Sequence, residues 1–199
     1  MEVFNLEVKK RTDLGKTDCK KLRKEGKIPC VIYGGKTNEH FYTDIPTVRN
    51  LIYSPHSYIV NIDLEGKKMY GVLKHIQYHP VTDALYHIDF YEVFEDKKFV
   101  VEIPVSLNGF AVGVQAGGKL TTLKRKLKIQ GLMKDLPNIL NIDITNLALG
   151  KSIKISELKF DNLEILDPKN SILCSIKLTR AAKGAADAPG AEAAAEVKA

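Results

Sequence analysis

"YIVNIDLEGKKMYGVLKHI", residues 58–76, alternates apolar and polar residues on both sides of Glu65-Gly66. That pattern predicts a β-hairpin with the Glu-Gly pair in its turn. Other short strand-like runs lie close by: "EVFNLEV" at 2–8, "IPCVIYGG" at 28–35, "FYTDI" at 41–45 and "ALYHIDFYEVF" at 84–94. Short strands at such close spacing predict a small closed β-barrel rather than a parallel sheet. Two short helices are expected between them. One is capped by Thr17 or Asp18, carries a Cys19/Leu22 apolar stripe and stops at Gly26. The other is started by Pro46 and runs to Tyr53.

The chain has 199 residues and 44% apolar content, enough for one or two cored domains. Composition divides it into three regions. Residues 1–93 are the barrel region. Residues 94–178 are again strand-like ("FVVEIPVSL", "LKIQGL", "ILNIDITNL", "SIKI", "LEIL", "SILCSIKL") and read as a second β-rich domain. Within it "AVGVQAGGKL" reads as a glycine-built turn before a strand. Residues 179–199 hold an alanine-rich run with one branched apolar residue, Val197, and are expected to form a disordered tail. The fold class is therefore mainly β with few short helices: a closed barrel, a second β-rich domain and a tail.

Charge is unevenly placed. The whole chain carries +6. Between Lys9 and Lys36, ten Lys/Arg face three acids, an excess of seven. Residues 94–178 are milder, with thirteen Lys/Arg against nine acids. A polyanionic partner is expected at the first of these segments.

Gly15-Lys16-Thr17 ahead of a helix looks like the end of a phosphate-binding loop. The motif needs a glycine five positions earlier, where Lys10 stands, and no glycine precedes Gly15. A nucleotide loop is therefore not expected. His75 and His79 have the spacing of a zinc helix, but Ile76 replaces the catalytic glutamate and the context is a strand. Residues four apart on a strand are roughly 13 Å apart, too far to share one zinc. No GxSxG or cysteine nucleophile motif is present, so no enzyme chemistry and no cofactor is expected. The three cysteines fit no disulfide framework, which points to reduced thiols in a cytosolic protein. No signal peptide and no membrane span is expected.

"YHIDFYE", residues 86–92, would turn Tyr86, Ile88 and Phe90 to the core and His87, Asp89 and Tyr91 outward. Alternation alone predicts a solvated outer face there. The combination with the basic helix, Tyr33 and Gln77 is what selective RNA binding needs. Cations hold phosphates, Tyr and His stack on or bond to bases and riboses, and Asp and Gln read base edges.

Three strings carry a family likeness: "KKRTDLGKTDCKKLRKEGKIPCVIYGG", "IQYHPVTDALYHIDF" and "GVQAGGKL". In order and spacing, residues 1–178 resemble the bacterial large-subunit ribosomal protein family that binds 5S rRNA, the twenty-fifth in the usual count. The likeness is greatest to its long two-domain Ctc general-stress form. The resemblance implies a barrel docked on the loop E region of 5S rRNA in the central protuberance. It implies RNA contacts at Arg11, Tyr33, Gln77, His87 and Asp89. Lys24 stands where some long members have arginine, which keeps the charge and loses the bidentate fork. The basic loop and helix would add Lys16, Lys20 and Lys21, with Gly15 letting the chain turn.

The expected role is thus a structural protein of the large subunit, cytoplasmic and ribosome-bound. Its second domain would reach neighbouring rRNA or ribosomal proteins, with no small-molecule substrate. The alternative is a stress-induced factor that joins ribosomes conditionally through the same 5S rRNA site.

Overall fold

The computed structural model describes residues 1–35, 37–158, 160 and 162–179. Residues 180–199, where the alanine-rich tail was expected, lie outside them. Two compact units are present. One comprises Met1–Pro104, Lys128–Ile139 and Asn162–Ile165, and the other Val105–Leu127, Leu140–Asp161 and Leu166–Ala199.

Six strands close the barrel: β1 (Val3–Lys10), β2 (Lys27–Tyr33), β3 (Glu39–Asp44), β4 (Ile59–Leu64), β5 (Lys67–Tyr78) and β6 (Leu85–Glu92). Their order is β1-β3-β2-β6-β5-β4, and parallel pairing of β1 with β4 closes the ring. Closure leaves no unpaired sheet edge. The β4–β5 turn holds Glu65 at φ 51° and Gly66 at φ 92°. Two positive φ values define the primed turn that matches strand twist, as the Glu-Gly pair predicts. Inside, Phe41 and Phe90 stack with centroids 5.9 Å apart, among Leu6, Ile28, Ile32 and Ile62.

Helix α1 (Lys16–Lys24) follows β1, and α2 (Ile45–Tyr53) follows β3 with Pro46 in its first turn. The cap of α1 differs from expectation. Gly15 is the N-cap, and neither Thr17 nor Asp18 caps it by a side-chain bond. The Asp18 carboxylate is engaged instead by Arg11, 3.1 Å away. Gly15 has φ −76°, a conformation open to any residue, so the turn does not require glycine there. Gly26, at φ 76°, does supply the left-handed residue that ends the helix.

Beyond the barrel come β7 (Phe99–Asn108), α3 (Val112–Gln115), β8 (Lys119–Thr122), β9 (Lys126–Gly131), β10 (Leu140–Asp143), β11 (Ser152–Lys154), β12 (Glu164–Ile165) and β13 (Ile172–Lys177). One four-stranded sheet has the order β10-β7-β9-β12, and a three-stranded sheet runs β11-β13-β8. The expected glycine turn before β8 contains the single-turn helix α3, and Gly117 at φ 85° follows it.

Candidate nucleic-acid interface

The outer face of β2, β6 and β5 is organised by register. Along β5–β6, His75 lies opposite Asp89, Ile76 opposite Ile88, and Gln77 opposite His87. Irregularities bracket this block, between Leu73 and His75 and again between Gln77 and Tyr78. Residues directly opposite share a face, so His75, Gln77, His87 and Asp89 form one outward patch over Ile76 and Ile88. In the parallel β2–β6 pair, Val31 is opposite Asp89 and Tyr33 opposite Tyr91. The Tyr33 and Tyr91 rings meet edge to face at 5.9 Å. His40 on β3 lies opposite Val31, so one row across the face reads His40, Val31, Asp89, His75.

His87 Nδ1 is 2.6 Å from Asp89 Oδ1. An ionised carboxylate only accepts, so Nδ1 carries the proton and donates. This fixes the tautomer and leaves Nε2 and Asp89 Oδ2 as the pair's remaining polar atoms. Both side chains are about three-quarters buried, at 24% and 23% exposure, so they are held rather than free to swing.

Tyr86 departs from simple alternation. It was expected in the core, but the irregularity at Gln77/Tyr78 pairs Tyr78 with Leu85, and Leu85 takes the buried place. Tyr86 is 40% exposed. The Arg23 guanidinium stacks over its ring at 3.4 Å to the centroid, and Arg23 Nε donates to the Tyr86 carbonyl at 3.0 Å. The bulge therefore turns a core candidate into a docking point for α1.

That docking matters because α1 buries only Leu22. A nine-residue helix with one buried side chain is marginal alone. Two polar clamps hold it. Arg23 ties it to β6. Arg11, just after β1, donates through Nη2 to the Asp13 carbonyl and Asp18 Oδ2, and lies 3.2 Å from Cys19 Sγ. The Arg11 side chain is only 6% exposed, and its buried Nε has no partner. Lys16, Lys20, Lys21 and Lys24 are exposed on the same helix, and no ion pair neutralises them among the described residues. The helix thus holds a row of unpaired cations in a fixed place.

His79 opens the β5–β6 loop, where its Nδ1 accepts from the Val81 and Thr82 N–H groups at 3.4 and 3.3 Å. Its lone pair shapes that loop. Sequence reasoning missed His75, Arg23 and Tyr86. The cross-strand register that brings in His75 and Tyr86 depends on two irregularities that no local pattern marks, and Arg23 joins through its stack on Tyr86.

The residue matches place this arrangement in a family. Residues 6–90 match the Ribosomal L25p family, and residues 98–180 match the C-terminal domain of ribosomal protein TL5. The large ribosomal subunit protein bL25 of Porphyromonas gingivalis is 47% identical over 188 residues, covering 94% of this chain and 98% of the relative. That of Phocaeicola vulgatus is 46% identical over 187 residues, covering 90% and 94%. The chain belongs to the ribosomal L25p family. With both domain matches in sequence it has the long L25p form, in a family of ribosomal proteins rather than enzymes. No helix among the described residues is long and apolar enough to cross a membrane.

Proposed function

We propose that this L25p-family chain is a structural protein of the large ribosomal subunit, cytoplasmic and ribosome-bound, and that its barrel face binds 5S rRNA at the loop E region. One observation carries the reading. The oriented His87–Asp89 pair and Gln77 share a face with Tyr33, and the Arg23–Tyr86 clamp fixes the cationic helix to the same strand. Lys16, Lys20, Lys21 and Lys24 supply sequence-independent phosphate contacts. Asp89 Oδ2, His87 Nε2 and Gln77 supply directional hydrogen bonds to bases or riboses, and Tyr33 offers a ring face. For Arg11 the geometry favours a positioning role, since its guanidinium fastens the start of α1. Residues 94–178 would act as a second module reaching neighbouring rRNA or protein. Conditional, stress-linked occupancy has no observation in its favour.

The test is a pair of titrations at one salt concentration, a 5S loop E fragment against a scrambled duplex of equal length. Preferential binding of the loop E fragment is expected. Lys16→Ala and Lys20→Ala should weaken both RNAs alike, each making the log–log salt slope shallower by about 0.7–0.9 per lost phosphate contact. Equal affinity for the two RNAs, or unchanged slopes in both variants, would sink the reading.

A further inference from the structure

The second unit carries a cleft of about 840 Å³ whose polar lining comes from Lys119, Arg125, Lys177, Ser106, Thr121 and Thr122. The other lining side chains are valine and leucine, so no carboxylate borders it. Lys119 on β8 is directly opposite Lys177 on the antiparallel strand β13. Directly opposed side chains share a face with their Cβ atoms about 5 Å apart, and like charges there repel. No acid relieves the repulsion, because neither lysine nor Arg125 has an ion pair among the described residues. Lys124 shows the contrast: it lies one residue from Arg125 and pairs with Asp167 at 2.6 Å. The arrangement is complementary to a chain of negative charges. Thr121, two residues from Lys119 and so on the same face of β8, adds a hydroxyl that can donate to a phosphate oxygen.

The lining also says what the cleft does not read. It contains no aromatic ring on which a base could stack and no amide or carboxylate to read a base edge. We infer that this cleft is a second RNA-binding site, one that grips the phosphodiester backbone without regard to sequence. It is separate in residues from the barrel face and does not depend on that face's target. In a large-subunit protein, a sequence-blind grip of this kind would anchor the second unit on RNA.

The test is lysine-acetylation footprinting of the full chain, read residue by residue by mass spectrometry. The probes are a generic RNA duplex, inorganic tripolyphosphate and a poly-glutamate peptide. The duplex should protect Lys119 and Lys177 several-fold and leave Lys151 and Lys154 unprotected. Protection by tripolyphosphate alone would mean a small-anion pocket, and protection by poly-glutamate alone an acidic-protein site. Either overturns the inference, as does no protection by any probe. Protection at Lys16 and Lys20 without protection at Lys119 and Lys177 would overturn it while leaving the barrel reading intact. The triple variant K119Q/R125Q/K177Q should flatten the salt slope for the duplex by about 0.7–0.9 per lost contact. An unchanged slope in a folded variant overturns the inference. If the variant fails to fold, the wild-type footprint still decides.

Discussion

The Arg23 guanidinium lies 3.4 Å over the Tyr86 ring and joins the cationic helix to the strand that holds His87 and Asp89. Stacking of this type is worth about 0.5–2 kcal/mol, and the Arg23 Nε bond to the Tyr86 carbonyl adds to it. Tyr86→Leu should remove the stack while keeping bulk on the strand. The expected outcome is loss of helical signal confined to α1 and weaker RNA binding, with the barrel melting within a few degrees of wild type. Arg23→Lys should rescue little, since an ammonium lacks the planar stack. Equal hydrogen-exchange protection of α1 in wild type and Tyr86→Leu would show that the clamp is not needed.

Asp89 has two tasks that substitution can separate. It accepts a hydrogen bond from His87 Nδ1 at 2.6 Å and keeps Oδ2 as a second acceptor. Asp89→Asn can still accept through its amide oxygen, so it should keep His87 oriented while weakening reading of a donor. Asp89→Ala loses both and should weaken loop E binding by roughly 1–3 kcal/mol. Removing an acid from a basic face should leave scrambled RNA unaffected or bound more tightly. Tighter cognate binding by Asp89→Ala would return the strand to a plain solvated face.

Much of the barrel was legible because its strands carry period-two patterns and its hairpin carries a turn pair. The β-rich character of residues 94–178 was legible on the same grounds. Two features were not. The placement of Tyr86 depends on an extra residue in the β5–β6 ladder, which reverses the face of everything beyond it. The burial of Arg11 depends on Asp18, a carboxylate seven residues away that the helix pattern marked as a cap. Of the site, His87 and Asp89 share a face as alternation along β6 implies, and Tyr33 meets that face across β2–β6. Gln77 and His75, two residues apart on β5, join them through the β5–β6 register, and Arg23 only through a stack.

The first 93 residues contain the whole barrel but not all of its hydrogen-bond partners. The Met1 ammonium donates to the Leu136 carbonyl at 2.7 Å, and the Glu2 N–H donates to Asn138 Oδ1 at 2.7 Å. Ser57 donates through its N–H to the Asn138 carbonyl at 3.2 Å and through its hydroxyl to the Glu102 carbonyl at 3.0 Å. A fragment of residues 1–93 should fold and bind loop E RNA, yet melt below the full chain's first transition. Calorimetry of the two side by side checks this. A fragment as stable as the full chain would mean these bonds contribute nothing measurable, and an unfolded one would deny the barrel autonomy.

Acid should loosen the barrel partly through Glu39. Burial alone would raise its carboxyl, but Lys67 at 3.4 Å and Lys10 at 3.6 Å outweigh that and hold it below the ordinary range. A carboxylate with a lowered folded pKa stabilises above its unfolded value, about 4.3, and loses that contribution as pH falls through the folded value. Glu39→Gln should therefore lower stability at pH 7 by less than about 1 kcal/mol, given the exposed lysines. The difference should vanish once the pH lies below the lowered folded value, and it should shrink in high salt. A difference that persisted in full in acid strong enough to protonate Glu39 would assign the effect to packing instead of charge.

Thiol reactivity offers a final check on core and interface together. Cys30 and Cys174 are fully buried, and burial pushes both thiols above the usual range, far above in the case of Cys30. Because the thiolate is the nucleophile, both should resist maleimide at pH 7 until the chain unfolds. Cys19 is partly exposed in α1, beside the Arg11 guanidinium. One thiol should therefore react in the native protein and three in denaturant. If RNA lies along α1, loop E RNA should slow the native reaction at Cys19 by several-fold, whereas a scrambled duplex at the same concentration should slow it less. Fast native labelling of Cys30 would contradict the closed barrel, and RNA-independent labelling of Cys19 would move the bound RNA off the helix.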